Sequence, residues 1–256
     1  MLPPIRREYI LNSSLNNIGL TIAGLSAYSA ITNEDIEALM ALRIKTRIFE
    51  TGSYIFREGI LNSDYAFSIS GYSFRQKQTI GGYRQILSMI IPGDIINPEN
   101  RYVSSLDYNV QCASRSLVAY ASRSDFDTLL NVCGSVSLAM SLSSVADSRQ
   151  LREWILNISG RSARTRVAHF LNEFAFRTKA RGIGDGISFE LPMSQEQIGD
   201  SVGITPAHVN RALRSFTEDG LIEQSIRSYR IINADRFRYV GEFTEGYIFG
   251  SNLNVE

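Results

Sequence analysis

The stretch 194–220 has the hydrophobic and polar pattern of two short helices joined by a tight turn. Ser194 followed by Gln197 is the spacing of a capping box, which predicts that the first helix begins there. Gly199 has no side chain to keep a second helix away, and Gly203 can adopt the positive φ of a turn without steric cost. The pattern therefore predicts a helix-turn-helix.

The second helix of this pair is predicted to have Thr205 as its cap and Pro206 at its first position. Its apolar stripe, at helical spacing, is Val209, Leu213 and Phe216. The opposite face is small, polar and cationic, and consists of Pro206, Ala207, His208, Asn210, Arg211 and Arg214. The donors of Arg211 suit guanine, the amide of Asn210 suits adenine, and Arg214 can reach a phosphate. This is the face that a helix-turn-helix places in the major groove of DNA.

Two short runs of strand-forming residues, 221–224 and 229–232, follow directly and flank the tip 225–228. They predict a β-hairpin wing, with Arg227 and Arg230 along the sugar-phosphate backbone. A helix-turn-helix followed at once by a wing is far more specific than either part, and it predicts a DNA-binding protein. The predicted DNA contacts are Ser194, Gln195, Thr205, Pro206, Ala207, His208, Asn210, Arg211, Arg214, Arg227 and Arg230.

The first half of the chain has the two-residue period of strands after one short helix, which opens at Thr32. In that helix the residues predicted to face inward are Ile36, Leu39 and Met40. The predicted strands, separated mostly by glycine, are 45–50, 54–58, 63–70, 72–80, 83–91 and 111–121. Short strands at such spacing predict a sandwich or barrel.

The region 126–157 is predominantly helical by pattern, and Gly160 ends it. Its seam near a 3.5-residue period consists of Leu138, Leu142, Val145, Arg149, Arg152 and Leu156. A core helix of one domain and a dimer coiled coil both fit this seam, and the small residues beside it favour the dimer. The next helix, 161–177, is predicted to turn Val167, Phe170, Leu171 and Phe174 inward.

Composition limits the chemistry. The 26 basic and 26 acidic residues balance, so any basic surface must be local; between 159 and 236 eleven basic residues face nine acidic ones, 11 − 9 = +2. Cys112 and Cys133 with only two histidines cannot form a disulfide framework, a zinc site or an iron–sulfur site. The opening residues lack the apolar core of a signal peptide and no run approaches transmembrane length, so we expect a cytoplasmic protein without a membrane partner.

In this order, β-roll, long helix and winged helix resemble the Crp/Fnr family of bacterial transcription regulators over about residues 30–236. The residues that carry the resemblance are Gly52, 54–59, 69–71, 92–94, 159–163 and 197–221. The resemblance implies an α+β fold: a double-stranded β-helix of jelly-roll type, a long dimerisation helix and a C-terminal winged helix-turn-helix. It also implies a homodimer on a two-fold symmetric DNA site, with RNA polymerase as a partner if the protein is an activator.

The chain departs from this family at several sites. Where cyclic AMP binders have a phosphate cassette, it reads Ile96 to Asn100 and then Leu106-Asp107-Tyr108, and an aspartate would repel the phosphate. Ala146-Asp147 stand where those members meet the adenine, so cyclic AMP is not expected. Residues 1–30 lack the cysteines of an iron–sulfur cluster, and neither histidine suits a haem ligand. The effector is left open.

On the recognition helix, Ala207 replaces the glutamate that accepts from cytosine in many family members. A methyl group can touch thymine but cannot accept that bond, so the half-site is expected to differ there, with His208 or Asn210 taking part. The predicted domains are an extension (1–25), a β-roll sensor (26–130), a dimerisation helix and hinge (131–158), a winged helix-turn-helix (159–240) and a tail (241–256). We expect a transcription regulator and not an enzyme; the alternative is a ligand-binding or scaffold protein whose helix-turn-helix makes protein contacts.

Overall fold

The computed structural model describes residues 18–249. Their contacts divide the described chain into two compact units, 18–76 with 89–147, and 77–88 with 148–249. The division at 147/148 lies inside the long helix, within the range 131–158 that is predicted to hold the dimerisation helix and hinge. Most of the predicted N-terminal extension and the last residues of the predicted tail lie outside the described residues.

The first part of the chain is mainly β-structure. Its elements are α1 (Gly19–Ser26), α2 (Asn33–Met40), β1 (Lys45–Phe49), β2 (Tyr54–Phe56), β3 (Asp64–Ser70), β4 (Ser73–Gln78), β5 (Arg84–Ile90), a 3-10 turn (Pro98–Arg101), β6 (Asn109–Cys112), β7 (Ser116–Ser122) and α3 (Arg123–Val132). One sheet has the strand order β1-β7-β3 and the other β2-β6-β4-β5, which agrees with the predicted β-roll.

Helix α1 falls mostly in the segment predicted to be an N-terminal extension, 1–25. Ile18, Ile22 and Leu25 are buried and belong to the same core as Phe67 and Phe126. Their spacing of four and three residues places them on one helical face. In α2, Ile36 and Leu39 are buried as predicted, but the prediction for Met40 is wrong, because its side chain is 37% exposed.

The predicted strand 111–121 is in fact two strands, β6 and β7. The turn between them is held by hydrogen bonds to Tyr72, which precedes β4. The Tyr72 carbonyl accepts from the amides of Ala113 and Ser114, and the Tyr72 amide donates to the Ser114 hydroxyl at 2.9 Å. No glycine or proline marks this turn in the sequence, so local pattern alone did not reveal it.

The remaining elements are α4 (Gly134–Gly160), α5 (Ala163–Ala180), β8 (Ser188–Glu190), α6 (Gln195–Val202), α7 (Pro206–Glu218), β9 (Ile222–Ser225), β10 (Ser228–Ile231), α8 (Ala234–Val240) and α9 (Gly246–Phe249). Strand β10 lies between β8 and β9. The four apolar residues predicted to face inward on α5 are all buried. Phe216 of α7 meets Phe237 of α8 edge to face, with ring centroids 5.2 Å apart, so α8 belongs to the same core.

Among residues 18–249, no single helix is both long and apolar enough to cross a membrane, and only the bent pair α3 with α4 passes that test jointly.

Candidate DNA-binding surface

Helix α6 begins and ends as its sequence predicts. The Ser194 hydroxyl accepts from the Gln197 amide at 3.1 Å, and the Gln197 side chain accepts from the Ser194 amide at 2.9 Å, so the capping box is complete. Gly203 ends the helix at φ 68°. A Cβ on Gly199 would lie 2.5 Å from the carbonyl oxygen of Ile204, which explains why this position needs glycine.

Two interactions that the sequence did not predict hold α6 and its turn. The Arg166 guanidinium of α5 donates to the carbonyls of Val202 and Gly203 at 3.3 and 3.4 Å. Within the same unit, Arg84 donates to the Asp200 carboxylate with two nitrogens, at 2.7 and 2.6 Å. Both sets of contacts come from residues far away in sequence, and they fix the first helix of the pair.

Helix α7 begins at Pro206, with Thr205 as its cap residue. Thr205 is therefore the cap residue as predicted, although its hydroxyl bonds no backbone amide of the helix. It lies instead 2.8 Å from Nδ1 of His208. Val209, Leu213 and Phe216 are buried as predicted, so the orientation of the helix is fixed by its apolar stripe.

The opposite face of α7 is available to a ligand. Ala207, His208, Arg211 and Arg214 are exposed. Asn210 is half-buried, and its amide nitrogen donates to Oε1 of Gln195 at 3.3 Å, which joins two predicted contacts across the turn. Within the described residues, the guanidinium groups of Arg211 and Arg214 have neither a hydrogen bond nor an ion pair.

The wing forms as predicted, with Ser225 paired to Ser228 and Ile222 paired to Ile231. Arg227 is exposed at its tip. Arg230 faces Glu223 across the ladder at 3.7 Å, and both side chains are mostly exposed, so the pair is weak and can open for a phosphate. All eleven predicted DNA contacts therefore lie in the second unit.

The predicted dimer residues lie on α4 in different surroundings. Leu138, Val145 and Leu156 are exposed, and Leu142 is half-buried. Arg149 donates to the Gly246 carbonyl at 2.8 Å, and Arg152 donates to the Ser148 hydroxyl at 2.9 Å. The apolar side chains of Leu151 and Ile155 on the same helix are also exposed, although they lie outside the predicted seam.

In the segments 96–100 and 106–108, where the resemblance places the phosphate cassette, the polar side chains bond one another and the backbone. Asn97 is fully buried; its side chain accepts from the Ala66 amide at 2.8 Å and donates to the Asp64 carbonyl at 2.9 Å. The Tyr108 hydroxyl donates to the Glu99 carboxylate. Burial raises the pKa of Tyr108 well above its ordinary value, so this hydroxyl keeps its proton.

Arg75 occupies the centre of the same region. Its guanidinium, 13% exposed, donates to the Ile96 carbonyl at 3.0 Å and lies 3.6 Å from the Asp147 carboxylate of α4. It also lies 5.6 Å from the centre of the Tyr108 ring. One positive charge is therefore already present here, and the chain itself supplies its partners.

The two cysteines are both buried thiols. Burial raises the pKa of Cys112 and of Cys133, which favours the protonated, unreactive form. Within the described part of the chain, no group of three or more His, Cys, Asp and Glu side chains could hold a metal ion.

Comparison with known proteins supports the DNA-binding interpretation of this surface. The Crp-like helix-turn-helix domain matches residues 165–239. The transcriptional activator protein FnrA of Stutzerimonas stutzeri is 24% identical over 214 residues, which cover 84% of this chain and 87% of that protein. The nitrogen fixation regulation protein FixK of Azorhizobium caulinodans is 27% identical over 195 residues, 74% of this chain and 75% of that protein.

Solved structures show the same fold. FixK2 from Bradyrhizobium japonicum superposes with a TM-score of 0.72 at 22% identity, over 79% of this chain and all of that chain. A CooA mutant from Carboxydothermus hydrogenoformans gives 0.62 at 18% identity, over 82% and 97% of the two chains. With its Crp-like helix-turn-helix and its curated relatives, the chain is a DNA-binding transcription regulator that is similar in sequence and fold to proteins of the Crp/Fnr family.

Proposed function

We propose that the protein binds a two-fold symmetric DNA site as a homodimer, with α7 of each protomer in the major groove. The observation that carries this proposal is the exposed face of α7, on which Arg211 and Arg214 have no partner among the described residues. An exposed cation without a protein partner is free to bond a base edge or a phosphate. In such a dimer the half-sites lie about one helical turn, ~34 Å, apart.

Base reading is assigned to the part of this face nearest the start of α7. Arg211 suits the two acceptors of a guanine, and the methyl group of Ala207 suits thymine. The amide nitrogen of Asn210 donates to Gln195, so the amide oxygen of Asn210 is left to accept from adenine. Arg214, Arg227 and Arg230 are assigned to phosphates, where they fix position and not sequence.

Dimerisation is assigned to the exposed apolar side chains of α4. Leu138 and Val145 are seven residues apart, as in a heptad seam, and Leu151, Ile155 and Leu156 continue the apolar surface toward the end of the helix. Five exposed large apolar residues on one helix are costly in water, and a second copy of the helix would cover them. Arg149 and Arg152 flank this surface.

The sensor region is proposed to work without cyclic AMP, an iron–sulfur cluster or haem. A cyclic nucleotide needs a free cation for its phosphate, whereas Arg75 is engaged by Ile96 and Asp147 and shielded by Tyr108. Asp107 adds a repulsive charge to the same segment. The protein is therefore expected to bind DNA with none of these ligands added.

FnrA and Anr are named transcriptional activators. By analogy we infer that this protein also activates transcription, in the cytoplasm, through contact with RNA polymerase. A promoter-reporter assay with purified polymerase tests this inference: stimulation from a cognate site supports it, and repression from the same site contradicts it.

The experiment that tests DNA recognition is selection of bound duplexes from a random pool by the purified protein at stated salt, with and without cyclic AMP. We expect the same palindrome in both conditions. In Arg211→Ala, preference at one base pair of each half-site should fall by 10- to 100-fold, which is about 1–3 kcal/mol. Arg43→Ala removes an exposed arginine of the first unit and is the matched control.

Uniform weakening by Arg211→Ala on all sequences would place this side chain on the backbone and contradict its assigned role. A palindrome that appears only with cyclic AMP would contradict the proposed independence from that ligand. Sedimentation of the wild type and of Leu151→Glu tests the dimer: we expect a dimer that the substitution converts to a monomer.

A further inference from the structure

A buried chain of hydrogen-bonding groups joins α5 to the C-terminal segment 241–249. His169 and Glu173 of α5 are 1% and 2% exposed. Nδ1 of His169 lies 3.0 Å from the Gly241 carbonyl oxygen, and its Nε2 lies 3.1 Å from the Tyr247 hydroxyl. That hydroxyl lies 2.7 Å from Oε2 of Glu173. We call His169, Tyr247 and Glu173 the buried triad.

The three contacts of the buried triad need three protons, one for each contact. Each contact joins two atoms with lone pairs, so each needs one proton between them. A neutral imidazole supplies one proton and the tyrosine hydroxyl supplies one, whichever tautomer is drawn. With an ionised glutamate, two protons would therefore have to serve three contacts, and one contact would set two acceptors against each other.

We infer that the buried triad is a proton-binding site that holds one proton more than neutral histidine, tyrosine and ionised glutamate together. With this proton all three contacts are hydrogen bonds. It completes the chain either as an imidazolium beside a carboxylate, or as a neutral imidazole beside a protonated carboxyl. The site takes up this proton from water when the chain folds, so it needs no other ligand and no covalent step.

The other partners of Glu173 agree with either form. Trp154 of α4 donates to its two oxygens at 3.1 and 3.0 Å, and the amide nitrogen of Gln150 donates to Oε1. None of these donors is a cation. Among residues 18–249 no cation is paired with Glu173, and a buried carboxylate without a paired cation is costly, which adds to the reasons for keeping a proton at this site.

The charged groups that face the triad come from each element around it. Glu153 of α4 lies 3.9 Å from Nε2 of His169, and Arg161 is held between Glu153 and Glu242, at 2.6 and 3.1 Å. Burial, followed by the charge of Glu173, raises the pKa of Tyr247 far above its ordinary value, and the smaller effect of Arg177 of α5 lowers it. Burial lowers the pKa of His169, which favours the form with a neutral imidazole and a protonated carboxyl.

The extra proton makes folding depend on pH in one direction. In the unfolded chain, histidine loses its proton near pH 6.5 and glutamate near pH 4.3. Above about pH 7 the unfolded chain therefore holds no proton on either side chain. The folded triad still holds one. Stability is therefore lost as pH rises above about 7, and the unfolding equilibrium constant increases up to tenfold per pH unit until the folded site itself titrates.

Glu173→Gln is the sharpest test, because its amide supplies the third proton permanently. Between pH 7 and 9, we expect the unfolding equilibrium constant of the wild type, measured in urea, to rise more steeply with pH than that of Glu173→Gln. The difference should be up to tenfold per pH unit. His208→Gln, which removes the only other histidine, should retain the wild-type slope. Equal slopes for the wild type and Glu173→Gln would overturn the inference.

A direct measurement does not depend on reversible unfolding. In His208→Gln protein the ¹⁵N signals of the remaining histidine report its protonation state, and ¹³C-labelled glutamate reports the carboxyl of Glu173, assigned by comparison with Glu173→Gln. At pH 7 we expect either an imidazolium or a protonated Glu173 carboxyl. A neutral imidazole together with an ionised Glu173 carboxylate would overturn the inference, whatever the DNA affinity of the protein.

Discussion

Arg75 and Arg211 carry the same charge in opposite surroundings. The guanidinium of Arg75 is 13% exposed and is engaged by a backbone carbonyl and by Asp147. The guanidinium of Arg211 is exposed and has no partner among the described residues. The first arginine completes the interior of the β-roll, while the second is left for a partner outside the chain.

This contrast separates structural from ligand-binding cations better than charge counts do. Between 159 and 236 the basic residues exceed the acidic ones by only two, and both acidic residues of α6, Glu196 and Asp200, are paired with Arg84. Because a desolvated cation that is already paired has little to gain from a ligand, we expect the exposed arginines to decide where DNA binds.

The largest expected effect is on stability, from Arg75→Ala. The substitution leaves the carbonyl of the buried Ile96 without this donor and removes the guanidinium beside the Asp147 carboxylate, whose side chain is 41% exposed. We expect a loss of about 2–4 kcal/mol in the free energy of unfolding, measured by urea titration. The base preference of the folded fraction should not change; an altered half-site would mean that Arg75 acts on the recognition helix.

The next effect is a change of base preference by Ala207→Glu. A glutamate here can accept from cytosine N4, so selection should enrich cytosine at the base pair that Ala207 faces, by about 1–3 kcal/mol. The fold should be retained, because the first turn of α7 has no acidic residue and a carboxylate at a helix N-terminus is favourable. Ala207→Gln, similar in size but uncharged, is the control.

An unchanged half-site in Ala207→Glu would show that position 207 does not face a base. Other side chains of α7 would then face the bases. His208 would be the first of them to test.

Local signals explain why the helix-turn-helix could be predicted from sequence. Each of three features depends only on residues close together in sequence: the capping box at Ser194, the positive φ of Gly203 and the apolar stripe of α7. A new side chain at Gly203 would also lie 2.4 Å from Cγ2 of Ile158, a contact that no local pattern shows. The geometry of the motif is local, but its attachment to α4 is not.

Contacts between distant residues could not be predicted in the same way. Glu173 and Tyr247 are 74 positions apart, and both fall in stretches that read as an ordinary amphipathic helix and an aromatic tail. The Thr205 hydroxyl is a smaller case: its position at the helix cap was predicted, but its contact with Nδ1 of His208, three residues further on, was not. Whether α4 forms a dimer stays a prediction.

A smaller effect is expected from Arg84→Ala, which removes the donor to Asp200. The two side chains are 21% and 17% exposed, so the bond is partly screened and we expect a loss of about 1 kcal/mol in stability. Arg115→Ala is the matched control, because Arg115 and Glu50 are 67% and 75% exposed and such pairs contribute little. Equal losses in the two variants would contradict the importance of the Arg84 contact for α6.

The smallest effect is expected from Thr205→Ala, compared with Ser162→Ala. Both residues cap helices, but only the Ser162 hydroxyl accepts from a backbone amide of its helix, that of Thr165 at 3.2 Å. Ser162→Ala should therefore cost about 1 kcal/mol in stability, and Thr205→Ala only a few tenths. Because the Thr205 hydroxyl instead holds His208, Thr205→Ala should alter DNA sequence preference a few-fold, measured by competition between half-site variants. If Thr205→Ala lost as much stability as Ser162→Ala and kept its sequence preference, Thr205 would be an ordinary cap and His208 would need no support from it.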